Sequence, residues 1–135
     1  ELFRFFQGMI AFRKEHASLR RKGYFTGAVN DRGLADISWH GCQLFAPGWN
    51  DSTSQVLAFT LAGFNGEADI HVMMNMDSQD LDFDIPVVPG RRWHRVIDTG
   101  AAAPDDILSK GHEALWEGET YRVTNRSIVV LISKP

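Results

Sequence analysis

Three aspartates at alternate positions, Asp80, Asp82 and Asp84, are the first residues whose spacing suggests chemistry. Glycoside hydrolysis needs two carboxyl groups held a set distance apart. Alternation with Leu81 and Phe83 gives a simpler account: these acids form the wet face of an edge strand, where charge also blocks edge-to-edge association. Asn75, Asp77 and Asp80 fall short of a calcium loop, which needs regularly spaced acids, a central glycine and a closing glutamate. The five histidines, His16, His40, His71, His94 and His112, are scattered, and no two show the i, i+4 spacing of a helical zinc site. Cys42 is the single cysteine, so an internal disulfide and a cysteine-based zinc site are both excluded. No G-x-S-x-G, P-loop or G-x-G-x-x-G run occurs. No metal and no cofactor is expected, and no residue is assigned a catalytic role.

The four tryptophans remain as recognition candidates. Trp49 sits in the turn-like run Pro47-Gly48-Trp49-Asn50-Asp51, where an indole can stack on a sugar ring while Asn and Asp bind hydroxyls. Trp39 ends a strand pattern just before His40-Gly41 and ranks second. Trp93 lies inside a strand pattern and reads as core, and Trp116 follows a polar stretch.

The elements that must position these residues follow from periodicity. Residues 1 to about 21 read as one helix. At 100° per residue, Leu2, Phe3, Phe5, Phe6, Met9, Ile10, Phe12 and Leu19 fill an arc of about 200°, wider than the ~100° that covers one core. Arg4, Gln7, Gly8, Lys14 and Glu15 lie mostly opposite. A stripe this wide, with no residue to cap its start, predicts a helix pressed between two bodies and a chain cut from something longer. Arg20, Arg21, Lys22 and Gly23 are expected to end it.

After Gly23 the period changes from 3.6 to 2. Strands are predicted at residues 36–39, 56–62, 69–76, 81–85, 93–98, 120–124 and 127–133, with a weaker one near 24–26. Turn residues fill the gaps. Short strands without intervening helices predict an antiparallel β-sandwich. The run 128–132, IVVLI, is apolar on both faces and reads as a central strand.

The 135 residues are 44% apolar and 23% charged, which suits one globular domain. Fourteen basic against seventeen acidic residues leave a net charge of −3, against a nucleic-acid partner. No apolar run reaches the ~18–20 residues of a membrane span. No signal-peptide pattern opens the chain, so the cytoplasm is the expected compartment.

FFQGMIAFRKEHASLRR, DISWHG, GWNDSTSQVLAFTLAG, VMMN, WHRVIDTG and YRVTNRSIVVLI, in that order, resemble the C-terminal end of isoamylase-type glycogen debranching enzymes of the α-amylase superfamily. The likeness runs from Glu1 to about Ile132. It implies that residues 1–22 are the last helix of a catalytic (β/α)8 barrel and that residues 23–135 are the C-terminal sandwich packing on it. Leu2, Phe3, Phe5, Phe6, Met9, Ile10 and Phe12 would then be domain-interface residues, and the barrel of the same parent chain the main partner. The parent would hydrolyse α-1,6 branch linkages with two carboxylates carried on absent barrel strands. The sequence departs from the family at Gln55, where Arg is usual, and at Met76-Asp77-Ser78, where a small residue, His and an aromatic are usual. The function expected is a non-catalytic accessory domain that stabilises the barrel. Two alternatives are an α-glucan-binding module using Trp49 or Trp39, and a free-standing protein-interaction domain. Self-association through the Phe-rich helix is a further expectation.

Overall fold

The computed structural model describes residues 2–135; Glu1, where the expected helix begins, lies outside the described residues. Leu2–Glu15 forms α1, followed by a single 3-10 turn at Ala17–Arg20. The expected helix to residue 21 is therefore cut short at His16, whose backbone is extended at φ −121° and ψ 101°. Local hydrogen bonds explain the break. The His16 Nδ1–H donates to the Phe12 carbonyl at 2.9 Å. Arg20 turns back and donates to the carbonyls of Arg13 (3.2 Å) and Lys14 (3.1 Å), satisfying the free helix end. Arg20 thus caps the helix from outside it, and Gly23 is not a left-handed stop.

Eight strands follow among the described residues: β1 Ile37–His40, β2 Val56–Leu61, β3 Ile70–Asn75, β4 Leu81–Asp84, β5 Arg92–Asp98, β6 Ala114–Trp116, β7 Thr120–Val123 and β8 Ser127–Lys134. Six form one antiparallel sheet in the order β1-β2-β3-β8-β5-β6, and β4 pairs with β7 as a separate antiparallel ribbon. The IVVLI run lies on β8, between β3 and β5, as its two apolar faces required. The weak strand expected near residues 24–26 does not form. The Asp36 carboxylate instead accepts the N–H of that segment's last residue, Thr26, at 2.8 Å and that of Gly27 just beyond at 2.9 Å. β6 has no counterpart among the expected strands.

The chain is mainly β and sandwich-like, with apolar packing on both faces of the large sheet. Ala58, Met73, Trp93, Val129 and Leu131 face the ribbon residues Phe83, Tyr121 and Val123. On the outer face Leu61, Ile70, Val96, Ile97, Val130 and Ile132 pack under Phe12 of α1, with Phe5 and Leu19 against the same cluster. A register shift between Arg95 and Ile97 lets Val96 and Ile97 both join that outer cluster. The order in space is helix, sheet, ribbon. On β4, Phe83 is buried and Asp82 is exposed beside Arg122 at 3.2 Å, the wet edge that the alternation predicted.

Candidate functional site: an apolar outer face

The helix is mounted with much of its apolar side outward. Leu2, Phe3, Phe6, Met9 and Ile10 are between 41% and 75% exposed. At 100° per residue these five span an arc of about 120°. The opposite arc carries Phe5 and Phe12, which pack on the sheet, together with Arg4 and Gly8. Gly8 sits so close that an added Cβ would lie 2.7 Å from Ile107 Cδ1, so this position brings the helix down onto the domain. Arg4 pairs with Asp106 at 2.6 Å. Of the residues placed opposite the apolar stripe, Gly8 and Arg4 thus make contact, against residues 107 and 106, while Gln7, Lys14 and Glu15 stay exposed.

The helix covers only one end of the sheet's outer face. Leu61, Ile70, Val130 and Ile132 are buried, whereas Ile37, Leu57, Phe59, Val72, Met74 and Ile128 on the same face are half-buried and Trp39 is exposed. Register lines these up in two cross-strand rows, Trp39–Phe59–Val72–Val130 and Leu57–Met74–Ile128. Trp49, 62% exposed, meets Trp39 edge-on at 5.5 Å and 69°. Trp39 leans on Phe59 at 5.5 Å and 53°. The two sugar candidates read from the sequence are thus brought together, on the outer face.

Polar anchors hold this face in shape. Asp51 ties the Trp49 turn by accepting from the Thr53 N–H (2.9 Å) and hydroxyl (2.6 Å). The backbone N–H groups of Thr26, Gly27 and Ile37 all donate to the Asp36 carboxylate, holding its pKa below the usual range despite some burial. Asp69 is fully buried. Burial opposes its ionisation, but a bidentate Arg32 pair (2.6 and 2.7 Å), the Gly63 N–H (2.9 Å) and the Ser133 hydroxyl (2.8 Å) together keep its pKa low. Gly63 has to be glycine here, because a Cβ would fall 2.4 Å from the Glu67 carbonyl oxygen.

Two histidines that looked unrelated in the sequence meet between the sheet and the ribbon. The Phe45 N–H donates to His40 Nδ1 at 2.8 Å, which leaves the proton of His40 on Nε2. That Nε2–H donates to Thr60 Oγ1 at 3.0 Å, and the Thr60 hydroxyl donates to His71 Nδ1 at 2.8 Å. His71 is then protonated on Nε2, an atom buried without a hydrogen-bond partner. Burial, reinforced by neighbouring His40, pushes the His71 pKa down to about 3, and burial lowers that of His40 as well. Among the described residues no group of three or more His, Cys, Asp or Glu side chains is arranged to hold a metal ion.

The architecture is an antiparallel sandwich domain that carries its own helix and leaves an apolar outer face on one side. A family model described as "Isoamylase 1-3, C-terminal" matches residues 38–131, and the chain belongs to that family. It is 33% identical to "Isoamylase 3, chloroplastic" of Oryza sativa subsp. japonica over 98% of this chain and 15% of that protein. It is 30% identical to "Isoamylase" of Pseudomonas amyloderamosa over 98% of this chain and 17% of that protein. "Isoamylase" of Flavobacterium sp shares 31% identity over 93% of this chain and 18% of that protein. The chain therefore spans less than a fifth of the length of these relatives.

The structure gives physical roles to the run DISWHG. Asp36 staples the approach to β1, Trp39 belongs to the outer face, and His40 closes the next turn on Phe45. Gly41 admits the Ala46 carbonyl oxygen to within 2.6 Å of where a Cβ would stand.

Proposed function

We propose that this chain is a non-catalytic accessory domain of a debranching enzyme that hydrolyses α-1,6 branch linkages, and that it stabilises the enzyme's catalytic barrel. One observation carries the reading: the most apolar arc of α1 points away from the domain to which the helix is attached. A helix serving this domain alone would put Phe3 and Phe6 inward. α1 is read as the last barrel helix, Phe5 and Phe12 as its anchors on the sandwich, and Leu2, Phe3, Phe6, Met9 and Ile10 as the surface taken by barrel strands. The uncovered rows around Trp39, Phe59 and Met74, and Trp49 beside them, extend the same surface. Trp39 and Trp49 are on this reading interface residues rather than sugar platforms. The unpaired Cys42 thiol, half-buried, suits a reducing compartment. The cytoplasm is the proposed location, although the rice relative is named chloroplastic.

The direct test is to incubate the purified 135-residue chain with glycogen and with a branched limit dextrin and to measure new reducing ends. None above the background of a heat-inactivated sample is expected, because no supported acid pair is present. Debranching that co-purifies with the chain through successive columns would overturn the accessory reading.

A further inference from the structure

We propose that a cleft on the ribbon side of the sheet binds a short α-1,4-linked glucan segment on the indole of Trp116; the ligand class rests on the debranching-enzyme reading above. The cleft measures about 560 Å³ and runs between Pro86–Val88 and residues 116–120. That volume lies within the ~300–1,000 Å³ typical of small-molecule sites. Its floor is Trp93, whose indole N–H is already committed to the Pro86 carbonyl at 2.7 Å. Trp116 forms one wall and is 37% exposed.

The Trp116 ring is fixed in place before any ligand arrives. Its Nε1–H donates to the Thr120 carbonyl at 3.0 Å, and the ring packs at 4.6 Å and 49° on Tyr121. Tyr121 is itself tethered by its hydroxyl to Asp98 at 2.7 Å. Gly118 lets the loop close over the indole edge, since a Cβ there would stand 3.1 Å from Trp116 Nε1. A pyranose presents C–H groups on its flat face, which an indole can stack against, and hydroxyls at its rim, which need charged or amide partners. Asp84, Arg92, Glu117 and Glu119 line the cleft. Among the described residues, none of these four side chains is engaged in a hydrogen bond or ion pair with the rest of the chain. They are free to serve as hydroxyl acceptors and a donor.

Placement separates this site from the docking face. Trp116 pairs with Trp93 across β5 and β6, and Trp93 belongs to the core between sheet and ribbon, so Trp116 lies on the side of the sheet away from α1. A barrel seated on α1 leaves the cleft open. An outer chain held there would keep a large branched substrate beside the enzyme between cleavage events.

The experiment is a maltoheptaose titration of the 135-residue chain, followed through the four indole N–H signals in nitrogen-15 NMR, each assigned from a Trp→Phe variant. The Trp116 signal is expected to shift saturably with a Kd of about 1 mM, with the Trp49 signal unmoved. Glu119→Ala and Trp116→Ala should weaken binding, the latter by at least about tenfold. If Trp116→Ala does not fold, the wild-type shift pattern and Glu119→Ala decide the matter. An unmoved Trp116 signal at about 20 mM maltoheptaose, or shifts at Trp49 and Trp39 instead, would overturn the proposal. Because the docking face is on the other side, a silent cleft leaves the accessory-domain reading standing, and the failure of that reading shows in different residues.

Discussion

Folding stability should fall by about 3 kcal/mol or more between pH 7 and pH 4.5, most of it above the range in which carboxylates titrate. The source is the His40–Thr60–His71 chain. His71 is neutral in the folded protein down to about pH 3, while in the unfolded chain it takes up a proton near the ordinary histidine value. Above about pH 6.5 both states are neutral and this group gives no slope. Below it the unfolded state binds one more proton, so stability drops by about 1.4 kcal/mol for each pH unit. His40, also lowered by burial, adds in the same direction. Asp36, Asp69, Asp106 and Glu113 are all held below their usual values, so each contributes stability at neutral pH that is lost as pH falls through the carboxylate range, from about pH 5 downward. The slope between pH 6.5 and about 5 therefore reports the two histidines. Urea unfolding at half-unit steps measures the slope, and His71→Asn, which removes the titrating group, should flatten it. A flat wild-type profile across that window would show that His71 is not buried as described.

The second large effect concerns association. The five outward residues of α1 expose apolar area on the order of 500 Å², at the upper end of what soluble monomers carry. Covering it is worth on the order of 10 kcal/mol before the costs of immobilising two bodies are set against it. For the isolated 135-residue chain, a second copy is the available cover. Sedimentation velocity over about a hundredfold concentration range should show the 135-residue chain associating. Phe3→Ser combined with Phe6→Ser should hold it monomeric with an unchanged near-ultraviolet spectrum, since neither ring packs into the domain. Association of the double variant equal to that of the wild type would place the sticky surface elsewhere.

Much of the fold was legible because its strands follow local rules. IVVLI is apolar at every position, and a strand buried on both faces must be central; β8 is. Leu81 and Phe83 alternate with aspartates, and β4 is an edge with Phe83 inside. What escaped the sequence depended on partners distant along the chain. β6 is three exposed residues whose backbone pairs only with β5 in the sheet, so its sequence carries neither alternation nor burial. Residues 24–26 have strand-like composition, yet the Asp36 side chain accepts the N–H groups of Thr26 and the adjoining Gly27. The helix break at His16 depends on Arg20 reaching back to Arg13 and Lys14, which a periodicity count does not register. His40 and His71 are 31 positions apart and are joined only by the antiparallel register of β1, β2 and β3, through Thr60.

The tryptophans show the same limit at the candidate site. Trp39 and Trp49 were legible as exposed aromatics, but their contact with each other and with Phe59 was not. Trp116 ranks below Trp49 in the sequence, where it only follows a polar stretch. Its partner Trp93 and the ribbon behind it are what turn those polar neighbours into the rim of a cleft.

Hydroxyl-radical footprinting, comparing the 135-residue chain with the longer debranching enzyme proposed to contain it, tests the docking claim most directly. Met9, Phe3, Phe6, Trp39 and Met74 should be labelled readily in the isolated chain and at least about fivefold more slowly in the whole enzyme, with Trp116 and Val87 labelled alike in both. Equal labelling of Phe3, Phe6 and Met9 in the two proteins would mean that nothing seats on the outer face of α1, and would contradict the account.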